Sequence, residues 1–126
     1  MLNDIYFALK ENPLIKEKVG DRIVFYEYPD TSDLNDGPFI IIDPLEPPRP
    51  ADYADNTWIT EDQLFQIEVW SKDGEERDEI ASQIQEILWK ELGYPNVASG
   101  PSEYDKKAEV FRDARRYKGK QYVDSL

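Results

Sequence analysis

The stretch Gln63 to Gly93 constrains this chain most, because a strand pattern runs straight into a helix pattern. Within Gln63-Leu64-Phe65-Gln66-Ile67-Glu68-Val69-Trp70, the apolar Phe65, Ile67 and Val69 alternate with Gln66 and Glu68. A period of two is that of a sheet with one buried face. After Ser71-Lys72-Asp73-Gly74, the residues Ile80, Ile84, Ile87, Leu88 and Leu92 fall on one stripe of a helix. Asp73 is placed to cap the first turn, and Glu76, three residues on, completes a capping box. Gly93 is placed to end the helix in the left-handed conformation. An apolar sheet face and an apolar helix stripe satisfy each other by packing together. The pair therefore predicts an α+β domain built on this strand and the helix folded over it.

The rest of the chain reads as additions to that unit. Leu2, Ile5, Tyr6 and Leu9 recur at helical spacing, and Asn12-Pro13 interrupts the pattern before a second short turn through Leu14, Ile15 and Val19 that Gly20 ends. Arg22 to Tyr28 is rich in β-branched and aromatic residues and reads as a strand stopped by Pro29. Pro38 to Asp43 reads as a second strand, whose consecutive Phe39, Ile40, Ile41 and Ile42 suit cover on both faces. The turn-forming stretch between them, Asp30 to Gly37, suits an antiparallel hairpin. Tyr94 to Ser102, punctuated by Pro95, Gly100 and Pro101, reads as a loop, and Ser102 to Asp105 as a short strand. Ala108 to Val123 fits either period; Phe111, Arg115 and Tyr117 can alternate against Arg112, Ala114 and Arg116, and Gly119 opposes a long helix, so a strand is expected. The expected fold is a mainly antiparallel sheet of about four strands, packed by the long helix and a shorter N-terminal one. One domain spanning residues 1–126 accommodates all of this.

The least globular part is a proline-rich arm, 44–57, with four prolines between Pro44 and Pro50. Such density favours an extended, polyproline-like segment. Its Pro47, Pro48, Tyr53 and Trp58 are candidate partner contacts, because proline limits the entropy lost on docking and aromatic rings act as anchors.

Composition narrows the chemistry. The chain has no cysteine and no histidine, so disulfides, thiolate sites and a Ser-His-Asp triad are excluded. No apolar run is long enough to span a bilayer, and Met1-Leu2-Asn3-Asp4 lacks a signal peptide's basic start, so a soluble cytoplasmic protein is expected. The net charge is −12, which opposes binding to free DNA. That charge is unevenly spread: residues 106–120 carry +5, which leaves −17 for the rest. Such polarity suits contact between the basic part of one copy and an acidic part of another. Arg112, Arg115 and Arg116 are the candidate contacts in the basic strand.

No catalytic residue, cofactor site or metal site stands out. Asp30, Asp33 and Asp36 are evenly spaced, and Asp52 and Asp55 follow in the next loop, but the spacing misses an EF-hand loop and its closing glutamate. Glu75, Glu76, Asp78 and Glu79 sit where acids favour a helix N-terminus. The interleaving of Tyr104, Phe111 and Tyr117 with basic residues could also serve single-stranded nucleic acid.

The order of the pieces resembles a known family. A short N-terminal helix leads into Arg22-Ile23-Val24-Phe25-Tyr26-Glu27-Tyr28-Pro29, then Gly37-Pro38-Phe39-Ile40-Ile41-Ile42, then Phe65-Gln66-Ile67-Glu68-Val69-Trp70-Ser71. A helix carrying Ile80-Ala81 and the segment Asp113-Ala114-Arg115-Arg116-Tyr117 complete it. This looks like the tail-completion, or head–tail joining, proteins of long-tailed phages and prophages of Gram-positive bacteria. The resemblance implies a small α+β fold akin to tail terminators, no catalysis, and a ring, often a hexamer, that joins the tail tube to the head connector. It implies a place in the virion after assembly in the host cytoplasm, with DNA only as passing cargo. Two other readings stay open on the residues alone: a metal-dependent hydrolase or nuclease using Asp30, Asp33, Asp52 and Asp55, or a monomeric adaptor recruiting a partner through the proline arm.

Overall fold

A computed structural model describes residues 2–122. Helices α1 (Leu2–Glu11) and α2 (Pro13–Lys18) precede strand β1 (Ile23–Phe25), a 3-10 helix (Thr31–Asp36) and strand β2 (Phe39–Pro44). Short strands β3 (Arg49–Pro50), β4 (Tyr53–Ala54) and β5 (Thr57–Trp58) lead into the long β6 (Thr60–Ser71). Helix α3 (Gly74–Ile87) ends in a π-turn (Leu88–Leu92), and β7 (Asn96–Asp105) and β8 (Val110–Tyr122) close the chain. The last residue of the expected final strand, Val123, lies outside the described residues.

The α+β class holds, but the expected sheet of about four mainly antiparallel strands does not. The sheet has six strands, ordered β1-β2-β6-β8-β7, with β3 also paired to β6, and β4 and β5 form a separate two-stranded hairpin. It is mixed because β1 and β2 are parallel, with Ile23 beside Ile40 and Phe25 beside Ile42. The physical reason begins at Tyr26, whose left-handed backbone (φ 67°) ends β1 early. The chain then crosses over the sheet through residues 26–38 before entering β2, and a crossover of a dozen or more residues permits a parallel pair. β7 was expected to be mostly loop. Pro95 lies just before the strand, while Gly100 and Pro101 lie within a register shift between Ser99 and Ser102. At a sheet edge, proline and glycine produce irregularities of this kind rather than ending the strand.

The central unit forms as its sequence indicates. Phe65, Ile67 and Val69 face the helices together with Ile40, Ile42 and Tyr117, and Ile80, Ile84, Ile87 and Leu88 cover them. Asn12 does more than interrupt the first helix: its Oδ1 accepts from the N–H groups of Leu14 (3.0 Å) and Ile15 (3.2 Å), capping α2 with Pro13 in its first turn. Gly93 adopts φ 72° and closes the π-turn.

The start of α3 departs from the expected capping box. Asp73 Oδ1 accepts from the Glu75 N–H (2.9 Å), but Glu76 does not reach back to the Asp73 backbone. Buried Ser71 takes that place: its Oγ accepts from the Asp73 N–H (3.0 Å) and donates to Glu76 Oε1 (2.9 Å). One hydroxyl thus ties the last residue of β6 to the first turn of α3. Ser71→Ala leaves a part-buried donor without its partner and should cost about 1–2 kcal/mol in urea unfolding, the range for lost caps and buried hydrogen bonds. A change below about 0.3 kcal/mol would show that water replaces the hydroxyl there.

The opposite face of the sheet is not simply polar. Glu68 and Trp70 are buried on it, and Leu34 of the 3-10 helix packs with Ile41, Trp70 and Val110 in a second small core. The crossover that makes β1 and β2 parallel also supplies this cover. Tyr28, carried across by the turn at Tyr26, stacks on Trp70 with ring centres 5.3 Å apart and donates to Glu68 Oε2 (2.7 Å).

Candidate interface

The proline arm is built onto the sheet. β3 pairs with β6, placing Arg49 opposite Asp62 and Pro50 opposite Glu61. The Leu45 N–H donates to Leu64 O (3.0 Å), and Glu46 pairs with Arg49 (2.9 Å). The expected polyproline extension is therefore short, and Pro47 and Pro48 sit exposed in it, between β2 and β3. Beyond β3 the chain turns through Asp55 (φ 51°) and Asn56 (φ 64°), two consecutive left-handed residues of types that tolerate that conformation. This hairpin sets Tyr53 directly opposite Trp58. Tyr53 is 70% exposed and Trp58 38%.

Asp52 fixes the hairpin to the sheet. Its Oδ2 accepts from Thr60 Oγ1 (2.7 Å) and from Lys120 Nζ (2.8 Å), and its backbone carbonyl accepts from the Ile59 N–H (2.7 Å). The hydrogen bond from Lys120, then that from Thr60, holds the Asp52 carboxyl below the usual range, and Asp52 in turn raises Lys120. The arm is thus held by groups far away in sequence.

The basic strand alternates as expected, and that alternation divides its three arginines. Arg112 and Arg116 lie on the face away from the helices, and Arg115 lies on the helical face. The Arg112 guanidinium sits 4.5 Å from the Trp70 ring centre and pairs with Asp105 (2.7 Å). Arg116 donates to Gln66 Oε1 (3.2 Å), and Arg115 donates to Gln85 Oε1 (2.7 Å) and pairs with Asp113 (3.1 Å). Lys118 pairs with Asp62 (3.3 Å) and Lys120 with Asp52. Four of the bases in 106–120 therefore meet carboxylates of their own chain, and two of those carboxylates come from the arm and from β6.

Asp113 is the one carboxyl of this region pushed upward, because burial outweighs the attraction of Arg115. A folded pKa above the unfolded one means that its contribution to stability is fully present below the unfolded carboxylate range. It is lost as pH rises through the folded value. Asp113→Asn keeps an oxygen for Arg115 but does not titrate. Measured by urea unfolding, the variant should therefore lose less stability than wild type, or gain more, between pH 4 and pH 7; an unchanged profile would mean that the pair with Arg115 sets the ionisation.

The loop aspartates do not assemble. Asp33 Oδ2 accepts from the Asp30 N–H (3.0 Å) at the start of the 3-10 helix, and Asp52 is engaged by Thr60 and Lys120. Among the described residues, no group of three or more Asp or Glu converges as a metal site would require.

Sequence reasoning missed a groove of about 570 Å³ between the end of α3 and the start of β7, lined in part by Gln85, Trp89, Pro95, Asn96 and Arg115. Trp89 is 60% exposed. Its signal was available: it follows Leu88 but lies off the stripe of Ile80, Ile84 and Ile87, so the helix turns a large aromatic ring away from the core.

No family profile matches the sequence, and no curated protein matches it. The fold does have a solved counterpart. A chain of the structure described as "Virion of native gene transfer agent (GTA) particle" superposes with a TM-score of 0.68 at 16% identity, covering 94% of this chain and 91% of that one. The two share a fold over nearly their whole lengths.

Proposed function

We propose that this chain is a structural component of a phage-like virion, and that it completes the tail by forming a ring at the tail end that joins the head connector. The observation that carries the reading is the end-to-end match in fold to a chain of a gene transfer agent virion. The order of elements that resembles tail-completion proteins points the same way. The protein acts by binding, without catalysis: its partners are further copies of itself, the connector and the tail-tube protein. It resides in the virion at the head–tail junction after assembly in the host cytoplasm. A net charge of −12 lets DNA pass through such a ring without sticking.

The structure refines the choice of variants. Arg115→Glu places a second carboxylate beside buried Asp113, so it tests folding as much as assembly. Arg116→Glu, which gives up a hydrogen bond to Gln66, and Trp58→Ala, in the hairpin pair with Tyr53, alter exposed side chains and test contact more directly. Tails lacking the protein, mixed with wild-type chain, should gain a capped end in electron micrographs and join heads. Each variant should join at least tenfold fewer. Wild-type chain that neither binds tail ends nor restores joining overturns the proposal.

A further inference from the structure

The crossover between β1 and β2 begins at a strained residue and ends at a glycine. Tyr26 still donates its N–H to Ile42 O (3.1 Å), the last rung of the parallel pair. The next rung would need an N–H from Pro44, which has none, so the ladder stops and the chain turns away. It does so with Tyr26 at φ 67°, a conformation that strains an aromatic residue and that asparagine or glycine adopts more readily. The Tyr26 ring is 62% exposed, so its own packing does not offset that strain. At the far end Gly37 takes φ 139°. Arg22, whose Nε donates to Pro38 O (3.0 Å), fills the space where a Cβ at Gly37 would lie.

Between these two points the chain is bonded to itself more than to the sheet. Among the described residues, its backbone hydrogen bonds run from the N–H of Glu27 to Phe25 O (2.8 Å), of Asp33 to Asp30 O (2.9 Å) and of Gly37 to Leu34 O (3.2 Å). Leu34 is the one buried side chain described within 27–36. The anchors to the rest of the fold are Leu34 on Ile41, Trp70 and Val110, Tyr28 on Trp70 and Glu68, and an exposed hydrogen bond from Lys72 to Asn35. A strained entry and so few buried contacts mark the low-stability end of a fold.

We propose that residues 27–36 form a strap, hinged at Tyr26 and Gly37, that opens as a unit while the rest of the fold stays intact. Opening relaxes Tyr26 and brings Ile41, Trp70 and Val110 to solvent, and the core under the helices is untouched. The strap thus sets how often the apolar ground on this side of the sheet is uncovered. This opening belongs to the single chain and needs no ring.

The absence of native cysteine allows a test by thiol labelling. Ile41 and Ile42 are neighbours on β2 and both fully buried, one under the strap and the other under the helices. Chains carrying Ile41→Cys should be labelled at least tenfold faster than chains carrying Ile42→Cys, which report global unfolding. Leu34→Ala should raise the Ile41→Cys rate at least tenfold. Tyr26→Asn, which suits the left-handed turn, should lower it about threefold. Ile84→Ala, in the core under the helices, should raise the Ile42→Cys rate at least tenfold and leave the Ile41→Cys rate unchanged. Equal rates at the two positions overturn the proposal, and so does an Ile41→Cys rate that rises with Ile84→Ala or ignores Tyr26→Asn. Hydrogen exchange on the unsubstituted chain gives a second readout, which no core cysteine can disturb. After correction for intrinsic rates, the Trp70 indole N–H, which donates to Glu68, should exchange at least tenfold faster than the Ile67 amide of the same strand. An indole no faster than that amide overturns the proposal by itself.

Discussion

Phe65→Ala should lower the free energy of unfolding by about 3–5 kcal/mol, the range for deleting a buried aromatic ring. Phe65 is fully buried on β6, the strand that pairs with β2, β3 and β8. Its ring stacks on Tyr117 of β8 (centres 5.9 Å apart, planes 19° apart) and meets Tyr94 edge-on at 6.1 Å. Deletion removes apolar area and leaves a cavity between the sheet and the helical layer that neither rigid neighbour can fill. Domains of this kind are stable by only about 5–15 kcal/mol, so the change should be visible as a large fall in the urea midpoint. Tyr53→Ala, at an exposed position, should stay within about 0.5 kcal/mol of wild type. A loss below about 1.5 kcal/mol for Phe65→Ala would mean that the core collapses around the gap.

Trp70→Ala should be comparably destabilising, by about 3–5 kcal/mol, and should carry a second signature that a helix-side deletion lacks. Trp70 anchors the smaller core: Leu34, Ile41 and Val110 pack on it, Tyr28 stacks on it, and Arg112 lies over it. Its Nε1 donates to Glu68 Oε1 (3.3 Å), the carboxylate that also accepts from the Tyr28 hydroxyl. The hydrogen bond to Glu68, burial and the charge of Glu68 push Tyr28 up to about 12. The folded state therefore favours neutral Tyr28. That contribution is present below the ordinary tyrosine pKa of about 10 and is lost as pH rises through about 12. Ultraviolet titration of the folded wild type should show a tyrosine ionising near 12; Tyr28→Phe should abolish that step, and Trp70→Ala, which removes the stacked ring but leaves Glu68, should lower it only in part. A late step that survives in Tyr28→Phe would belong to Tyr117 or Tyr94, both of which burial raises.

The sequence made the central unit legible because its signals are local. The alternation through Phe65, Ile67 and Val69, the stripe Ile80-Ile84-Ile87-Leu88 and the left-handed Gly93 all depend on residues within a few positions of one another. Asn12-Pro13 and the alternation of β8 were readable for the same reason. The candidate contacts were legible only as residue types. Nothing local to Asp52 points to Lys120, nothing local to Arg115 points to Gln85, and Arg112 and Arg116 take the face opposite Arg115 because β8 pairs with β6 in one register.

The sequence by itself determined the α+β class, the strand–helix unit, its stop at Gly93 and the absence of cysteine and histidine chemistry, because each follows from local periodicity or from composition. Only the tertiary structure decided the sheet of six strands, its parallel edge, the seating of the arm and the groove beside Trp89. Those features are set by pairings between residues far apart in the chain. Their geometry comes from the competition of whole elements for one sheet and one core, and no short window of sequence contains it.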